Sequence, residues 1–213
     1  MNWMKKVAVA LVCLLPLGLQ AAKVDTLQVK SHSMNKSIEV VVVSPDMAAT
    51  EACPVIYLLH GYGGNARTWV GIKPDLPKIA DEKGIFFVCP DGKNTWYWDS
   101  PLNADVRYET FISDELVKYV DSHYKTVADR KGRAITGLSM GGHGAMWNGL
   151  RHSDVFSAAG STSGGVDIRP FPKNWEMSVQ IGEKAKYPEN WEKYTVINLV
   201  PTLRKDQIAL IFD

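Results

Sequence analysis

Two short stretches near the front of the chain, Thr26 to Val29 and Ile38 to Val43, carry the apolar and β-branched residues of strands. They predict an antiparallel start. Beyond them the rhythm changes: compact apolar runs at Val55 to His60, Ile85 to Cys89 and Ala134 to Leu138 alternate with helical patterns near Pro74 to Lys83 and Tyr108 to His123. Strands separated by helices imply crossover connections, and so a parallel sheet covered on both faces. The pattern continues with a helix from Met140 to Arg151, a strand near Phe156 to Ser161, and a polar stretch from Gly164 to Glu192 that contains Pro and Trp. A short helix near Val196 to Arg204 then leads into a strand from Ile208 to Phe212. The expectation is one α/β domain over residues 23–213, mostly parallel, with no internal repeat.

Residues 1–22 break this pattern. Lys5 and Lys6 form a cationic start, Val7 to Leu19 an apolar run, and Ala21 and Ala22 a small-residue exit, which together read as a secretory signal. The apolar run is about 13 residues against the roughly 20 that a spanning helix needs, so no stable membrane span is expected. Lipidation at Cys13 is disfavoured by Val12, which stands where a small residue should precede a lipidated cysteine. The expected location is therefore secreted or periplasmic.

Composition sharpens the class. The 213 residues are 46% hydrophobic, with 24 Lys+Arg against 23 Asp+Glu, which excludes disorder and coiled coil. Removing the two signal lysines turns the formal charge from +1 to −1, leaving no basic footprint for nucleic acid. Beyond the signal stand Cys53 and Cys89, an even number that permits a disulfide in an oxidising compartment. If their runs are parallel strands, the thiols sit at opposite ends of the sheet, so both are expected unpaired and largely buried.

Gly137-Leu138-Ser139-Met140-Gly141 fits G-x-S-x-G, with an apolar strand running in and a helical pattern running out. That setting exposes the serine oxygen on a sharp turn, and glycine is needed where side chains would collide across it. Ser139 is thus the candidate nucleophile; the alternative is that it merely caps the helix after it. Leu58-Leu59-His60-Gly61-Tyr62-Gly63-Gly64 is a second strand entering a glycine-rich loop, comparable to the loop that supplies an oxyanion donor in α/β hydrolases. The Tyr62 and Met140 backbone N–H groups would be the two donors, worth about 3 kcal/mol each to a developing oxyanion. The loop could instead be an ordinary tight turn; a phosphate cradle would want Lys-Ser/Thr where Asn65-Ala66 stands.

Leu59-His60-Gly61-Tyr62-Gly63-Gly64-Asn65, Cys89-Pro90-Asp91-Gly92, Tyr108-Glu109-Thr110-Phe111 and Gly137 to Gly142 together resemble the esterase D group of α/β hydrolases. That group includes S-formylglutathione hydrolases, tributyrin-esterase-like proteins, secreted acetyl and feruloyl esterases, and the antigen 85 mycolyltransferases. The resemblance covers Val24 to Asp213 and implies an α/β-hydrolase fold, a serine ester hydrolase with Ser139 as nucleophile, and no cofactor. Export argues against the formylglutathione branch. One departure stands out: the group places its acid just after the strand Ile208 to Phe212 and its histidine further on. Asp213 looks like the first residue of the group's Asp-x-Gly-x-x-Asp stretch, so the expectation is a C-terminally incomplete piece of a longer gene product, nearly inactive by itself.

The resident histidines do not fill the gap. His143 lies four residues after Ser139 and points along the helix, and His152 lies roughly 20 Å away at its far end. The resemblance makes His60 a structural hydrogen-bonding residue, and His32 and His123 are expected at the surface. Trp96, Tyr97 and Trp98 follow the strand Ile85 to Cys89 and should lie at the C-terminal edge of the sheet, where ligands bind. Three adjacent aromatics in a polar loop are not expected to be all buried, so they are candidates for a wall against an acyl, aryl or sugar group, extended by Trp69, Trp175 and Trp191. Asp114 and Glu115 are expected to face water or cap a neighbour, and no His or Cys spacing resembles a metal site. The expected partner is a small-molecule or carbohydrate ester. Acyl transfer to a sugar and non-catalytic carbohydrate binding are the alternatives.

Overall fold

The computed structural model describes residues 22–213; residues 1–21, and with them the secretory-signal reading, lie outside the described residues. Seven strands form one sheet: β1 (Lys23–Ser31), β2 (Lys36–Ser44), β3 (Val55–Leu59), β4 (Phe86–Pro90), β5 (Arg133–Gly137), β6 (Ala158–Ser161) and β7 (Ala209–Phe212). Their order across the sheet is β1-β2-β4-β3-β5-β6-β7. The β1–β2 hairpin is antiparallel, and β2 also meets β4 antiparallel, with Val41 opposite Cys89. From β4 to β7 every neighbour is parallel. The antiparallel start and the parallel remainder both follow the sequence pattern, with the strand ends shifted by one to a few residues.

The helices are α1 (Thr68–Ile72), α2 (Leu76–Lys83), α3 (108–123), α4 (Met140–Arg151), α5 (Met177–Ile181) and α6 (Pro188–Lys193). Helix α2 opens with Pro77 in its first turn and stops at Gly84, whose φ of 63° is the left-handed cap that glycine takes without strain. Helix α3 is interrupted by a π-helical turn over Phe111–Leu116. Helices α1, α5 and α6 escape the sequence reading because each is only five or six residues long, too short for a period to declare itself. The helix expected from Val196 to Arg204 is a 3₁₀ turn over Val196–Thr202, broken by Pro201, which has no N–H to continue an α ladder.

Alternation along the central strands feeds two cores. Val40, Val42, Tyr57, Leu59, Phe86 and Val88 pack with α3 and α4 on one face, while Val41, Val43, Leu58, Phe87 and Cys89 pack with α2 on the other. Cys53 and Cys89 are unpaired and buried, as the strand arrangement requires. At the far edge β7 leaves its residues exposed, Ile211 and Phe212 at 74% and 72%.

Candidate active site

The turn between β5 and α4 brings Ser139 to the surface at the C-terminal edge of the parallel strands. Its φ of 54° and ψ of −115° lie where a non-glycine residue pays about 1–3 kcal/mol in strain. The turn is fixed by its neighbours: Ser139 N–H donates to Thr162 O at 2.9 Å, and Gly141 N–H to Leu138 O at 2.8 Å. Close approach dictates the flanking glycines. A Cβ on Gly137 would overlap the Gly141 carbonyl, and one on Gly141 would overlap the Leu59 carbonyl. The Ser139 side chain makes no capping hydrogen bond to α4, which removes the capping reading.

The loop after β3 stands beside it; a Cβ on Gly61 would lie 3.6 Å from Ser139 Cβ. Gly64 N–H donates to Gly61 O at 3.0 Å and Gly63 has φ 76°, which makes residues 61–64 a type II turn. Gly92 N–H donates to His60 Nε2 at 2.9 Å, so the ring proton sits on Nδ1 and donates to Gly61 O at 2.7 Å. In a planar trans peptide the carbonyl and the following N–H point in opposite directions. Holding the Gly61 carbonyl toward His60 therefore turns the Tyr62 N–H away from it. The Tyr62 and Met140 N–H groups take no acceptor among the described residues. Buried His60 is structural, as the resemblance implied.

Ser139, Tyr62 and Met140 line one cavity of about 310 Å³ together with Trp96, Ile168 and Trp175. Phe171, Met177, Asp167 and residues 163–165 complete it. Of the three consecutive aromatics expected as a wall only Trp96 lines it. Contrary to expectation, Trp96, Tyr97 and Trp98 are all buried. Two features make this possible. Trp96 and Tyr97 both take φ of 59°, folding the loop back on itself, and the Tyr97 ring lies against Gly92 and Gly144, where any Cβ would strike it. Each polar tip is also satisfied: Tyr97 Oη–H donates to His60 O at 3.0 Å, Trp98 Nε1–H to His143 Nε2 at 3.0 Å, and Trp96 Nε1–H to Trp175 O at 3.1 Å. Tyr97 and Trp98 are thus floor supports, not wall. Trp175, 45% exposed, does reach the cavity, whereas Trp191 is buried with its N–H on Gly182 O, and Trp69 lies elsewhere. Ile168, Phe171 and Met177 were missed; their only signal is apolar character within an otherwise polar stretch following β6.

Across the mouth, Gly63 N–H donates to Asn94 Oδ1 at 2.9 Å, and Asn94 Nδ2–H to Glu176 Oε2 at 3.3 Å. Loss of hydration, and then the adjacent Glu176 carboxylate, hold the Tyr62 phenol above its ordinary value. His143 lies edge-on to the stacked Trp96 and Trp98 rings, 5.2 Å from each centroid, and donates from Nδ1 to Gly165 O at 2.7 Å. Burial pushes it down to about 4, so it is neutral and fully engaged. His152 meets Glu109 at 2.8 Å, and His32 and His123 are exposed. Among the described residues no histidine or carboxylate is hydrogen-bonded to the Ser139 hydroxyl. Asp114 pairs with Lys118, and Glu115 accepts from Ser31 Oγ and Ser33 N–H, so both stay outside the site. No group of three metal-ligating side chains occurs among the described residues, and no helix there is long and apolar enough to cross a membrane.

A mostly parallel sheet flanked by helices, with a strained serine turn between a strand and a helix, defines an α/β hydrolase. The solved S-formylglutathione hydrolase from Agrobacterium tumefaciens shares this fold, with a TM-score of 0.75 and 22% identity over 91% of this chain and 75% of that one. The Esterase family model matches residues 31–210, and the chain belongs to that family. Esterase Rv1288 of Mycobacterium tuberculosis is 30% identical over 149 residues, 67% of this chain and 32% of that protein. A solved ferulic acid esterase is 28% identical, with a TM-score of 0.69 over 88% of this chain and 74% of its own. The chain spans about a third of the length of the curated esterase.

Proposed function

We propose that the protein is an exported serine carboxylic-ester hydrolase, with Ser139 as nucleophile and the Tyr62 and Met140 N–H groups as oxyanion hole. The observation that carries this reading is Ser139 itself: strained, exposed, free of any capping bond, and sharing a cavity with two residues whose amides are uncommitted. Ser139 Oγ attacks the ester carbonyl, its proton passes to a base, and the carbonyl oxygen takes the negative charge facing the two amides. Collapse of this intermediate expels the alcohol and leaves an acyl-Ser139 ester, which water hydrolyses to free acid and serine. The acyl group occupies the cavity walled by Trp96, Phe171 and Trp175, suited to short acyl or aryl-acyl esters of small alcohols or carbohydrates. Similarity to a ferulic acid esterase agrees with an aromatic-walled site.

Hydrolysis of p-nitrophenyl acetate tests this. In a form of the protein that turns over this ester Ser139→Ala should lower kcat by about 10³-fold or more, and retention of activity would remove Ser139 from the mechanism. Because no described histidine bonds to Ser139, the 213-residue chain by itself should turn over only slowly. Turnover by it at an ordinary enzymatic rate of about 10 per second would contradict this.

A further inference from the structure

Resting on that reading, we infer that Asn94 and Glu176 are positioning residues: together they fasten the turn that carries the Tyr62 N–H to the segment that walls the cavity. Asn94 uses both ends of its amide, accepting from Gly63 N–H and donating to Glu176. Its other anchors are at the base, His60 and its own 64-to-61 bond, and at the Tyr62 phenol, which lies beside Glu176. A type II turn converts to type I by rotation of its central peptide, here Tyr62–Gly63, and the Asn94 bond to Gly63 N–H opposes that rotation directly.

On the other side, Trp175 and Glu176 take φ of 50° and 52°, facing Trp96 and Tyr97 at 59° across the Trp96 Nε1–Trp175 O bond. Two pairs of left-handed, non-glycine residues meeting at one cavity mouth are costly, and persist only where neighbours over-determine them. Asn94 bridges these two segments, so the oxyanion donor and the acyl wall share one fastening. Glu176 is exposed, and such a bond adds little to global stability. A fall in turnover on breaking it therefore reports position, not unfolding.

The test uses the protein in a form that turns over p-nitrophenyl acetate, with urea midpoints to confirm folding. Asn94→Ala should lower kcat roughly tenfold, less than the hundred- to thousandfold lost with an oxyanion donor outright, with KM changed by less than about twofold. Asn94→Asp keeps the acceptor for Gly63 but sets two carboxylates face to face. Relative to the unaltered enzyme at the same pH, its kcat should be low at pH 8 and recover as acid protonates the pair, which the Tyr62 phenol also faces. Adding Glu176→Gln to Asn94→Asp restores a donor–acceptor pair of reversed polarity, and kcat should return to within about threefold of the unaltered enzyme. Unchanged kcat in Asn94→Ala, or no recovery in the double variant, overturns the proposal. Should Asn94→Ala not fold, the double variant decides alone. Ser139→Ala runs in parallel: if it hydrolyses ester as fast as the unaltered protein, the esterase reading itself has failed.

Discussion

Serine 139 holds its conformation because the chain on either side has nowhere else to go. The carbonyls of Leu59 and Gly141 occupy the space that side chains at 141 and 137 would need. Gly141→Ala should therefore destabilise the fold by about 1–3 kcal/mol, measured by urea denaturation, because backbone cannot yield as a flexible side chain can. An unchanged midpoint would mean that the turn relaxes freely and stores no strain. The motif made this much legible in the sequence, since only glycine satisfies both contacts. Sequence spacing also disposed of the resident histidines, but for an incomplete reason. His143 is excluded less by its direction along α4 than by the two bonds that consume its ring, to Trp98 and to Gly165. The Gly165 contact comes from a loop whose path no local pattern announces.

The loop 92–98 shows where a sequence reading stops. Its position at the C-terminal edge of the sheet followed from β4, but three consecutive aromatics in polar company suggested a surface. They are buried because left-handed Trp96 and Tyr97 turn the loop inward and because Gly92 and Gly144, fifty residues apart, clear room for one ring. Neither the backbone handedness nor the distant glycine is encoded nearby. The same packing makes His143 an acid-sensitive support for α4. Its folded value of about 4 lies below the ordinary 6.5, so the unfolded chain binds more protons between those limits and acidification favours unfolding. Stability should be fully present above pH 6.5 and fall by about 3 kcal/mol on the way to pH 4. His143→Gln can keep both hydrogen bonds without titrating, so urea midpoints for it should lose this part of the pH dependence. Equal slopes in the two proteins would show that His143 is not the group responsible.

The molecule as a whole divides along the sheet. The strands, the antiparallel start and the two-sided cover were legible because alternation and apolar runs declare them, and because parallel strands need crossovers. The path of the segment after β6, whose loop residues and Met177 wall much of the cavity, was not, since its turns and its helices of five or six residues are set by tertiary contacts. The same architecture places Cys53 before β3 and Cys89 in β4, one on each side of the sheet and both buried. A thiol reagent should modify neither in the folded protein and both after denaturation, without prior reduction. Loss of that reactivity until a reductant is added would reveal a disulfide and misplace one of the two strands. The chain belongs to the Esterase family, and the most direct test of the proposal that Ser139 carries acyl-enzyme chemistry is to trap the adduct. The protein, in a form that hydrolyses ester, would be treated with a fluorophosphonate ester, digested and sequenced by mass spectrometry. The account predicts a single phosphonyl group on Ser139, formed roughly tenfold more slowly when the turn carrying Tyr62 is disturbed by Asn94→Ala. Modification of another residue, or none at all in a folded and hydrolytically active protein, would contradict it.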